Sequence, residues 1–247
     1  IGVIGVAIGT ALLPLLSRLI AKNDQHKAKE IMTTAIEMAL FLALPAMAAF
    51  VVASNEIVTT LFQRGSFGKA EADATAAALT AYTVGLPAYI LIKVLSPAYF
   101  ARGDTRTPVI IGMISMVFNI ILNIILMQFF LHVGLALATA LSAYLNVALL
   151  TIPLYKRKHL LLNKDLISRM VKIIISTAMM ALVLFLASWV LSGYFYDSEI
   201  VRSMALAILF VTGVLVFCLS AFVVKAPALK ELTSMVWRTP QIKPLND

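Results

Sequence analysis

The chain has 247 residues, of which 61% are hydrophobic and 13% are charged, and its mean hydropathy is +0.96. A soluble domain carries about 25% charged residues, so this composition excludes an ordinary soluble protein and indicates a membrane protein. The net charge of +8 could point to a nucleic-acid partner, but the distribution of the basic residues, described below, explains it without nucleic acid.

Seven uncharged, mostly apolar runs are separated by short charged connectors. In chain order they cover residues 1–17, 38–55, 74–92, 107–131, 133–155, 173–196 and 203–224. The last four exceed the roughly 20 apolar residues that span a bilayer core, and the second and third reach that length when a charged flank extends to the interface. Backbone groups in lipid must bond to one another, so such runs form helices. The predicted fold class is an all-α, polytopic helical membrane protein with about seven transmembrane helices.

The first run carries two further indications. It begins at residue 1 with Ile, and it lacks the basic flank and the small-residue cleavage site of a signal peptide. We therefore expect the chain to be the carboxy-terminal part of a longer protein. Gly5 and Gly9 have the four-residue spacing that lets two membrane helices approach closely, so this helix is expected to pack tightly against a neighbour.

Lysines and arginines are concentrated on alternate connectors. Sixteen of the 20 follow the first, third, fifth or seventh run, whereas only three lie on the connectors between them. Because cytoplasmic loops of membrane proteins are enriched in Lys and Arg, the carboxy terminus is predicted to be cytoplasmic. A basic excess on one side faces anionic lipid headgroups and requires no nucleic-acid partner.

The connector between the fifth and sixth runs divides the chain. Residues 156–172 form a basic, amphipathic connector that is longer than the others. It separates a five-helix unit, residues 1–155, from a terminal helix pair, residues 173–224. The proline-containing tail, residues 225–247, is predicted to be a cytoplasmic surface segment.

Lys93 is a cation enclosed by apolar sequence in the third predicted helix. Tyr82 and Tyr89 lie eleven and four residues before it, so at 3.6 residues per turn all three share one face, with Ser96 nearby. An ionisable residue inside a membrane usually faces a cavity, where it would bind an anionic, partly apolar ligand such as a lipid-linked phosphate. The alternative is that Lys93, about two turns from Arg102, extends to the lipid headgroups.

A polar stripe runs along the fourth predicted helix. Gly112, Ser115, Asn119 and Asn123 recur at steps of three and four residues. Such a stripe usually packs and hydrogen-bonds against a neighbouring helix. The alternative is a monovalent cation site, in which the two amide oxygens act with Thr139 of the next helix. The stripe contains no carboxylate, so that site would bind weakly.

An enzyme is not indicated by the pattern of reactive residues. His26, His132 and His159 lie in connectors without a metal-ligand spacing, and Glu37 is the one acid in the apolar body of a helix. No pair of carboxylates is spaced to share a site at one membrane face, and no phosphate-binding loop is present. A membrane-embedded glycosyl- or acyltransferase is therefore a less favoured interpretation.

Several segments resemble the MurJ (MviN) family of lipid II flippases. The similarity lies in residues 61–67 (LFQRGSF), 82–87 (YTVGLP), 93–100 (KVLSPAYF) and 101–108 (ARGDTRTP), and residues 9–17 fit the end of the family's eighth helix. The segments occur in the family's order and spacing over about residues 1–160. Beyond that point the likeness rests on helix number and hydropathy. The family-motif positions singled out are Arg64, Gly65, Asp104, Thr107 and Pro108.

The resemblance implies the carboxy-terminal half of a fourteen-helix transporter of the multidrug/oligosaccharidyl-lipid/polysaccharide superfamily. Residues 1–155 would form most of the second of two lobes around a cationic cavity, and residues 173–224 a groove for the lipid tail. The family moves undecaprenyl-pyrophosphate-linked peptidoglycan precursor across the bacterial inner membrane for cell wall biogenesis, by alternating access and without hydrolysing ATP. The implied partners are this precursor, membrane lipids and the missing amino-terminal half of the protein.

The resemblance also implies which residues form the substrate pathway and the ion site. The family's cavity arginine and glutamate of the eighth helix precede Ile1, so this part alone is not expected to transport. We expect no cofactor, but coupling to Na+ or to the membrane potential, with Asn119, Asn123 and Thr139 falling where relatives would hold sodium. The alternative function is a cation-coupled drug or polysaccharide-unit exporter of the same superfamily. The residues expected along the substrate pathway are Lys93, Tyr82, Tyr89, Arg18 and Arg102.

Overall fold

The computed structural model describes residues 2–160, 164–196 and 199–224, and it is helical through almost all of them. The elements are α1 (Gly2–Ala21), α2 (Gln25–Val52), α3 (Ser54–Phe62), α4 (Lys69–Thr83), α5 (Leu86–Phe100), α6 (Arg106–Lys156), α7 (Lys164–Leu191), a 3-10 turn (Ser192–Tyr196) and α8 (Glu199–Val223). Five stretches of the described chain are long and apolar enough to cross a membrane: α2, α4 with α5, α6, most of α7 with the 3-10 turn, and α8. The part of α1 from Ala7 to Ala21 is a shorter apolar helix. The all-α membrane class is confirmed.

Helix α6 is two membrane spans joined by a sharp reversal. Its 51 residues would extend about 76 Å as one helix, more than twice the thickness of a bilayer core. Leu131 interrupts it with φ 51° and ψ −129°. A Cβ atom on Gly134 would overlap the carbonyl of Leu126, although these positions lie about 12 Å apart in a continuous helix. The chain therefore turns back at Leu131, and residues 106–130 and 132–156 form a first and a second arm, as the two predicted runs require.

The main core joins α1, α2, α5 and the second arm of α6. Among its buried members are Leu16, Met32, Val94 and Leu150. Tyr99 is also buried, and its hydroxyl donates to the carbonyl of Leu150 at 2.6 Å. This bond satisfies the polar tip of a large side chain inside an otherwise apolar core. It fixes α5 against the second arm, and this contact places the candidate site described below.

The two glycines of α1 meet α5, as the sequence predicts. An ideal Cβ on Gly9 would lie 2.7 Å from the carbonyl oxygen of Lys93, and one on Gly5 would lie 3.3 Å from Cδ of the same lysine. Only residues without a side chain allow the backbones to approach this closely.

We expect Gly9→Ala to destabilise the full-length protein by about 1–3 kcal/mol, because the new methyl group collides with a backbone carbonyl that cannot move alone. Gly112→Ala is the matched control, since nothing lies within 4 Å of a Cβ at that helical position. The control should be neutral or slightly stabilising. Thermal unfolding in detergent measures both, and equal melting temperatures for the two variants would contradict the close contact.

The terminal helix pair α7–α8 packs against α2. Every fourth residue of α8 from Ala205 to Ala221 is buried, and Leu184 of α7 lies 3.1 Å from an ideal Cβ on Gly213. The rings of Phe41 and Phe217 lie 5.0 Å apart and join α8 to α2. These regularly spaced small and apolar residues form the stripe by which one helix packs on another.

The boundary of the terminal pair differs from the prediction. Helix α7 begins at Lys164, within the connector predicted for residues 156–172. Leu166 is 1% exposed and Met170 packs against the main core, so apolar periodicity continues the helix through this basic segment. The predicted tail, residues 225–247, lies outside the described residues. The division into lobe, connector, pair and tail stays a prediction.

Two ion pairs show which connectors share an end of the helical bundle. Arg157 Nη1 lies 3.1 Å from Asp104 Oδ2, which joins the α5–α6 connector to the end of α6. At the other end of the α4–α5 span, Arg64 Nε lies 3.5 Å from Glu199 Oε1, which joins the α3–α4 connector to the start of α8. The basic-rich connectors after α5 and α6 therefore lie on one side, as their charge predicts.

Candidate functional site

An open groove of about 270 Å³, called the polar cavity below because six polar residues contribute to its lining, lies between α5 and the two arms of α6. Its polar lining comes from Tyr89 of α5, Ser115 and Asn119 of the first arm, and Thr139, Ser142 and Asn146 of the second arm. The two first-arm residues are four positions apart and so occupy one helix face. The predicted polar stripe thus faces the neighbouring helix.

A short ladder of amides runs along this stripe. Asn119 Nδ2 donates to Ser142 Oγ at 3.2 Å, and Asn123 Nδ2 donates to Asn119 Oδ1 at 3.0 Å. Thr139 Oγ1 donates to the carbonyl of Leu135 at 2.9 Å and so keeps acceptor capacity toward the cavity. Asn123 Oδ1 is buried and has no hydrogen-bond partner among the described residues. Of the three predicted cation-site residues, Asn119 and Thr139 line the cavity, whereas Asn123 lies one turn from Asn119, outside the lining, with its Oδ1 unpaired among the described residues.

The atoms that could ligate a cation in this region are neutral amide and hydroxyl oxygens. Within the described ranges, no group of three or more His, Cys, Asp or Glu side chains is close enough to hold a metal ion. Amide and hydroxyl oxygens suit hard cations, but without a carboxylate they hold them weakly. The chemistry of the lining fits a monovalent ion better than a tightly bound divalent metal.

The third predicted run breaks at Val84 and Gly85, between α4 and α5. Tyr82 and Tyr89 lie on opposite sides of this break, yet their ring centroids are only 5.1 Å apart. A Cβ on Gly85 would collide with the Tyr89 ring, so glycine is required for Tyr89 to fold back across the break. Tyr144 donates to the carbonyl of Val84 at 2.9 Å, which satisfies one backbone group that the break exposes. The predicted tyrosine pair is therefore formed, on one membrane span that is interrupted between α4 and α5.

Lys93 lies one helical turn beyond Tyr89 but does not line the polar cavity. Its side chain is exposed, and its aliphatic part lies beside Gly5 where α1 contacts α5. The structure thus places Lys93 on the outer surface of the α1–α5 contact. Its role in a substrate pathway stays a prediction.

The basic residues predicted at the inner mouth have different environments. Arg18 is exposed near the end of α1. Arg102 is half-buried and donates from Nη1 to a carbonyl of α5 at 2.7 Å, while its Nε has no partner among the described residues. Burial, followed by the charges of Arg102, Arg157 and Lys29, lowers the pKa of His159. Basic groups from α2, from the α5–α6 connector and from the end of α6 therefore converge at this end of the bundle.

The motif at residues 101–108 builds the turn into α6. Gly103 has φ +73°, which favours glycine, and Pro108 lies in the first turn of α6, where proline is tolerated. Asp104 accepts from the backbone N–H of Thr107 at 3.0 Å and from its hydroxyl at 2.8 Å. The backbone bond, then the hydroxyl bond and the nearby Arg157, hold the pKa of Asp104 below its usual value. These residues serve the architecture of the connector.

The motif at residues 61–67 forms a turn that points toward α8. Gly65 has φ +55°, and the N–H of Phe67 donates to the carbonyl of Arg64 at 3.0 Å. Phe67 packs against the buried Val58 and anchors the turn. Arg64 is thereby carried to Glu199 at the first residue of α8.

A protein-family model described as lipid II flippase MurJ matches residues 1–206 of the chain. The chain belongs to the MurJ family. A probable lipid II flippase MurJ of Rickettsia prowazekii is 31% identical over 226 residues, which are 91% of this chain and 45% of that protein. The protein of the same name from Vibrio cholerae is 42% identical over 160 residues, 65% of this chain and 30% of that protein.

The fold agrees with a solved MurJ structure. The lipid II flippase MurJ in its inward closed conformation superimposes with a TM-score of 0.70 and 27% sequence identity, over 89% of this chain and 42% of that chain. The resemblance read from the motifs is therefore confirmed, and the chain is an integral membrane protein. It spans less than half of the length of each of these MurJ proteins.

Two carboxylates hold α7 of this MurJ chain, and the sequence did not predict either contact. Glu37 of α2 is completely buried, and its Oε2 lies 3.0 Å from Nη1 of Arg169 on α7. Glu56 of α3 accepts a hydrogen bond from the hydroxyl of Ser188, farther along α7. The partners are 132 residues apart in each case, so no local spacing identifies them. The isolated acid within the apolar body of α2 was the one available signal.

Proposed function

We propose that this chain is the carboxy-terminal part of a flippase that moves undecaprenyl-pyrophosphate-linked peptidoglycan precursor across the bacterial inner membrane by alternating access. The observation that carries the proposal is the match of the MurJ family model over residues 1–206. Superposition on a solved lipid II flippase supports it independently. The protein is accordingly a transporter and not an enzyme.

The remaining half of the transporter would come from the same protein. The MurJ relatives are more than twice as long as the segment they share with this chain. The amino-terminal half would supply the opposing lobe, and this chain would supply the second lobe and the terminal pair. The basic connectors on one side favour a cytoplasmic carboxy terminus in the inner membrane.

The substrate would be divided between two environments. Its charged headgroup would cross between the lobes, where Lys93 would offset the desolvation of the diphosphate. Its prenyl tail would stay in lipid along α7–α8, whose outward faces expose Trp189, Phe210 and Phe222 by 70% or more. Such a surface suits a hydrocarbon chain.

The function is tested by reconstituting the full-length protein in vesicles that contain lipid II. Appearance of lipid II at the opposite leaflet, read by a membrane-impermeant reagent, is the expected result. Vesicles with an undecaprenyl-pyrophosphate-linked polysaccharide unit or a cationic drug test the alternative exporters. Transport of either substrate without transport of lipid II would reject the proposed function, and chemical conversion of lipid II would indicate a transferase.

We further propose that the amide ladder couples transport to Na+; the alternative is coupling to the membrane potential. The unpartnered Asn123 Oδ1 and the Thr139 hydroxyl support a weak monovalent site. The residues present fit such an ion through neutral oxygens alone. Weak binding would let the ion leave on each cycle.

Asn123→Asp should strengthen this site, because a carboxylate adds charge to the oxygen ligands. We expect Na+ to raise the melting temperature of the full-length variant. The variant should need about one-tenth of the Na+ concentration that wild type needs for the same rise. Asn123→Leu is the control without a ligand atom and should show no rise. Choline chloride at equal ionic strength corrects for salt effects. If Na+ and choline act alike on wild type and Asn123→Asp, the ion proposal fails.

A further inference from the structure

An open cleft of about 420 Å³ lies between the α3–α4 connector and the first two turns of α8. It is separate from the polar cavity, since the two share no lining residue. Arg64 and Glu199 form one wall, and the remaining lining residues are Ile200, Ser203, Met204 and Ala207.

The charged wall presents both signs side by side. Arg64 Nε lies 3.5 Å from Glu199 Oε1, and the side chains are 57% and 65% exposed. An exposed pair at this distance is weak, so both groups can bind a ligand without losing a strong contact. Gly65 and the bond from Phe67 to the Arg64 carbonyl fix the turn from which the guanidinium projects.

The rest of the cleft is an apolar strip that faces outward. Ile200 and Met204 are 74% and 60% exposed, and their spacing of four residues aligns them with Ser203 and Ala207 on one face of α8. The opposite face of α8, which includes Leu209, packs against the rest of the molecule. The strip therefore faces lipid and begins where the charged pair ends.

We propose that this cleft binds a phospholipid with a phosphoethanolamine headgroup. The Arg64 guanidinium would hold the phosphate, which it matches as a planar array of donors. The Glu199 carboxylate would accept from the primary ammonium, and the acyl chain would lie along Ile200 and Met204. Both contacts are charge-assisted hydrogen bonds, the stronger class.

The charge pattern favours this headgroup over other lipid anions. Phosphatidylglycerol carries the phosphate but has no ammonium group to donate to the Glu199 carboxylate. Phosphatidylcholine keeps the positive charge but has no N–H group to donate to it. A lipid-linked pyrophosphate carries more negative charge and would be repelled more strongly by the same carboxylate. The cleft is thus a site for a membrane lipid, and it does not depend on the proposed flipping activity.

The first test changes the lipid and leaves the protein intact. Native mass spectrometry of the full-length protein is performed with phosphatidylethanolamine and with its mono-, di- and trimethylated forms at equal concentration. We expect affinity to fall stepwise with the loss of N–H donors, by about tenfold from the unmethylated to the trimethylated lipid. Equal binding of the four lipids, or tighter binding of phosphatidylglycerol, would overturn the proposal.

The second test assigns the binding to the two side chains. Glu199→Gln should remove most of the discrimination between ethanolamine and choline lipids, while Arg64→Gln should weaken both by about tenfold. Lys69→Gln and Asp73→Asn remove charges from the nearby exposed start of α4 and should bind like wild type. Melting temperatures of all four variants verify folding. Unchanged lipid selectivity in a folded Glu199→Gln protein would place the headgroup elsewhere and refute the assignment.

Discussion

Replacing Lys93 by Ala in the full-length protein should lower lipid II translocation by roughly tenfold or more, because an uncompensated diphosphate would then enter a poorly solvated path. Lys93→Arg keeps the positive charge and should retain most of the activity. The measurement is the rate at which lipid II becomes accessible at the opposite leaflet of reconstituted vesicles.

Lys69→Ala is the matched control for this experiment. Lys69 is also exposed, but it lies at the first residue of α4, at the other end of the α4–α5 span from the basic connectors. Its loss should leave translocation unchanged. The melting temperature of Lys93→Ala is measured alongside, so that a loss of translocation is assigned to the lysine only in a folded protein. Normal translocation by Lys93→Ala would show that this lysine only extends to the headgroups, which is the alternative that the sequence left open.

Arg169→Leu should give the second large effect, on stability. Removing Arg169 leaves the carboxylate of Glu37 completely buried and without its ionic partner. We expect the full-length protein to lose about 2–3 kcal/mol, somewhat less than a fully buried pair would cost, because Arg169 is 38% exposed. Thermal unfolding in detergent provides the measurement.

The double variant Glu37→Leu with Arg169→Leu distinguishes the cost of an unpaired buried charge from the loss of side-chain packing. Apolar residues of similar volume remove the buried charge together with its partner, so much of the lost stability should return. Ser188→Ala removes the other carboxylate contact of α7 and should have a smaller effect, because Glu56 is partly exposed whereas Glu37 is completely buried. If the double variant were as unstable as Arg169→Leu alone, the loss would stem from packing of the arginine stem and not from the buried charge.

The membrane spans of this chain could be predicted from hydropathy because lipid imposes a simple length requirement. The reversal at Leu131 was also located, since His132 interrupts two runs that together are too long for one span. A close helix contact at Gly9 was expected from its spacing with Gly5, although the spacing did not identify α5 as the partner. Each of these features depends on residues that are close in sequence, where periodicity carries the information.

The contacts that organise the site could not be predicted in this way. The uncharged run over residues 74–92 was interpreted as one unbroken helix, whereas the structure interrupts it between α4 and α5; the Tyr82–Tyr89 contact itself agrees with the predicted shared face. Lys93 shares their predicted face, yet it lies outside the polar cavity. The Glu37–Arg169 pair joins distant segments and needs the packed structure to be seen. Long-range contacts between charges follow from helix packing, which a single sequence does not specify.

The attachment of α7 has a consequence for any movement of this half of the molecule. Glu37 holds α7 through Arg169, Glu56 holds it through Ser188 farther along the helix, and Phe217 of α8 rests on Phe41 of α2. With three fixed points on α2 and α3, α7–α8 cannot swing independently. If the lobe moves during transport as proposed, these contacts would carry the pair with it, so a hydrocarbon tail resting against α7–α8 would keep its position while the headgroup crosses.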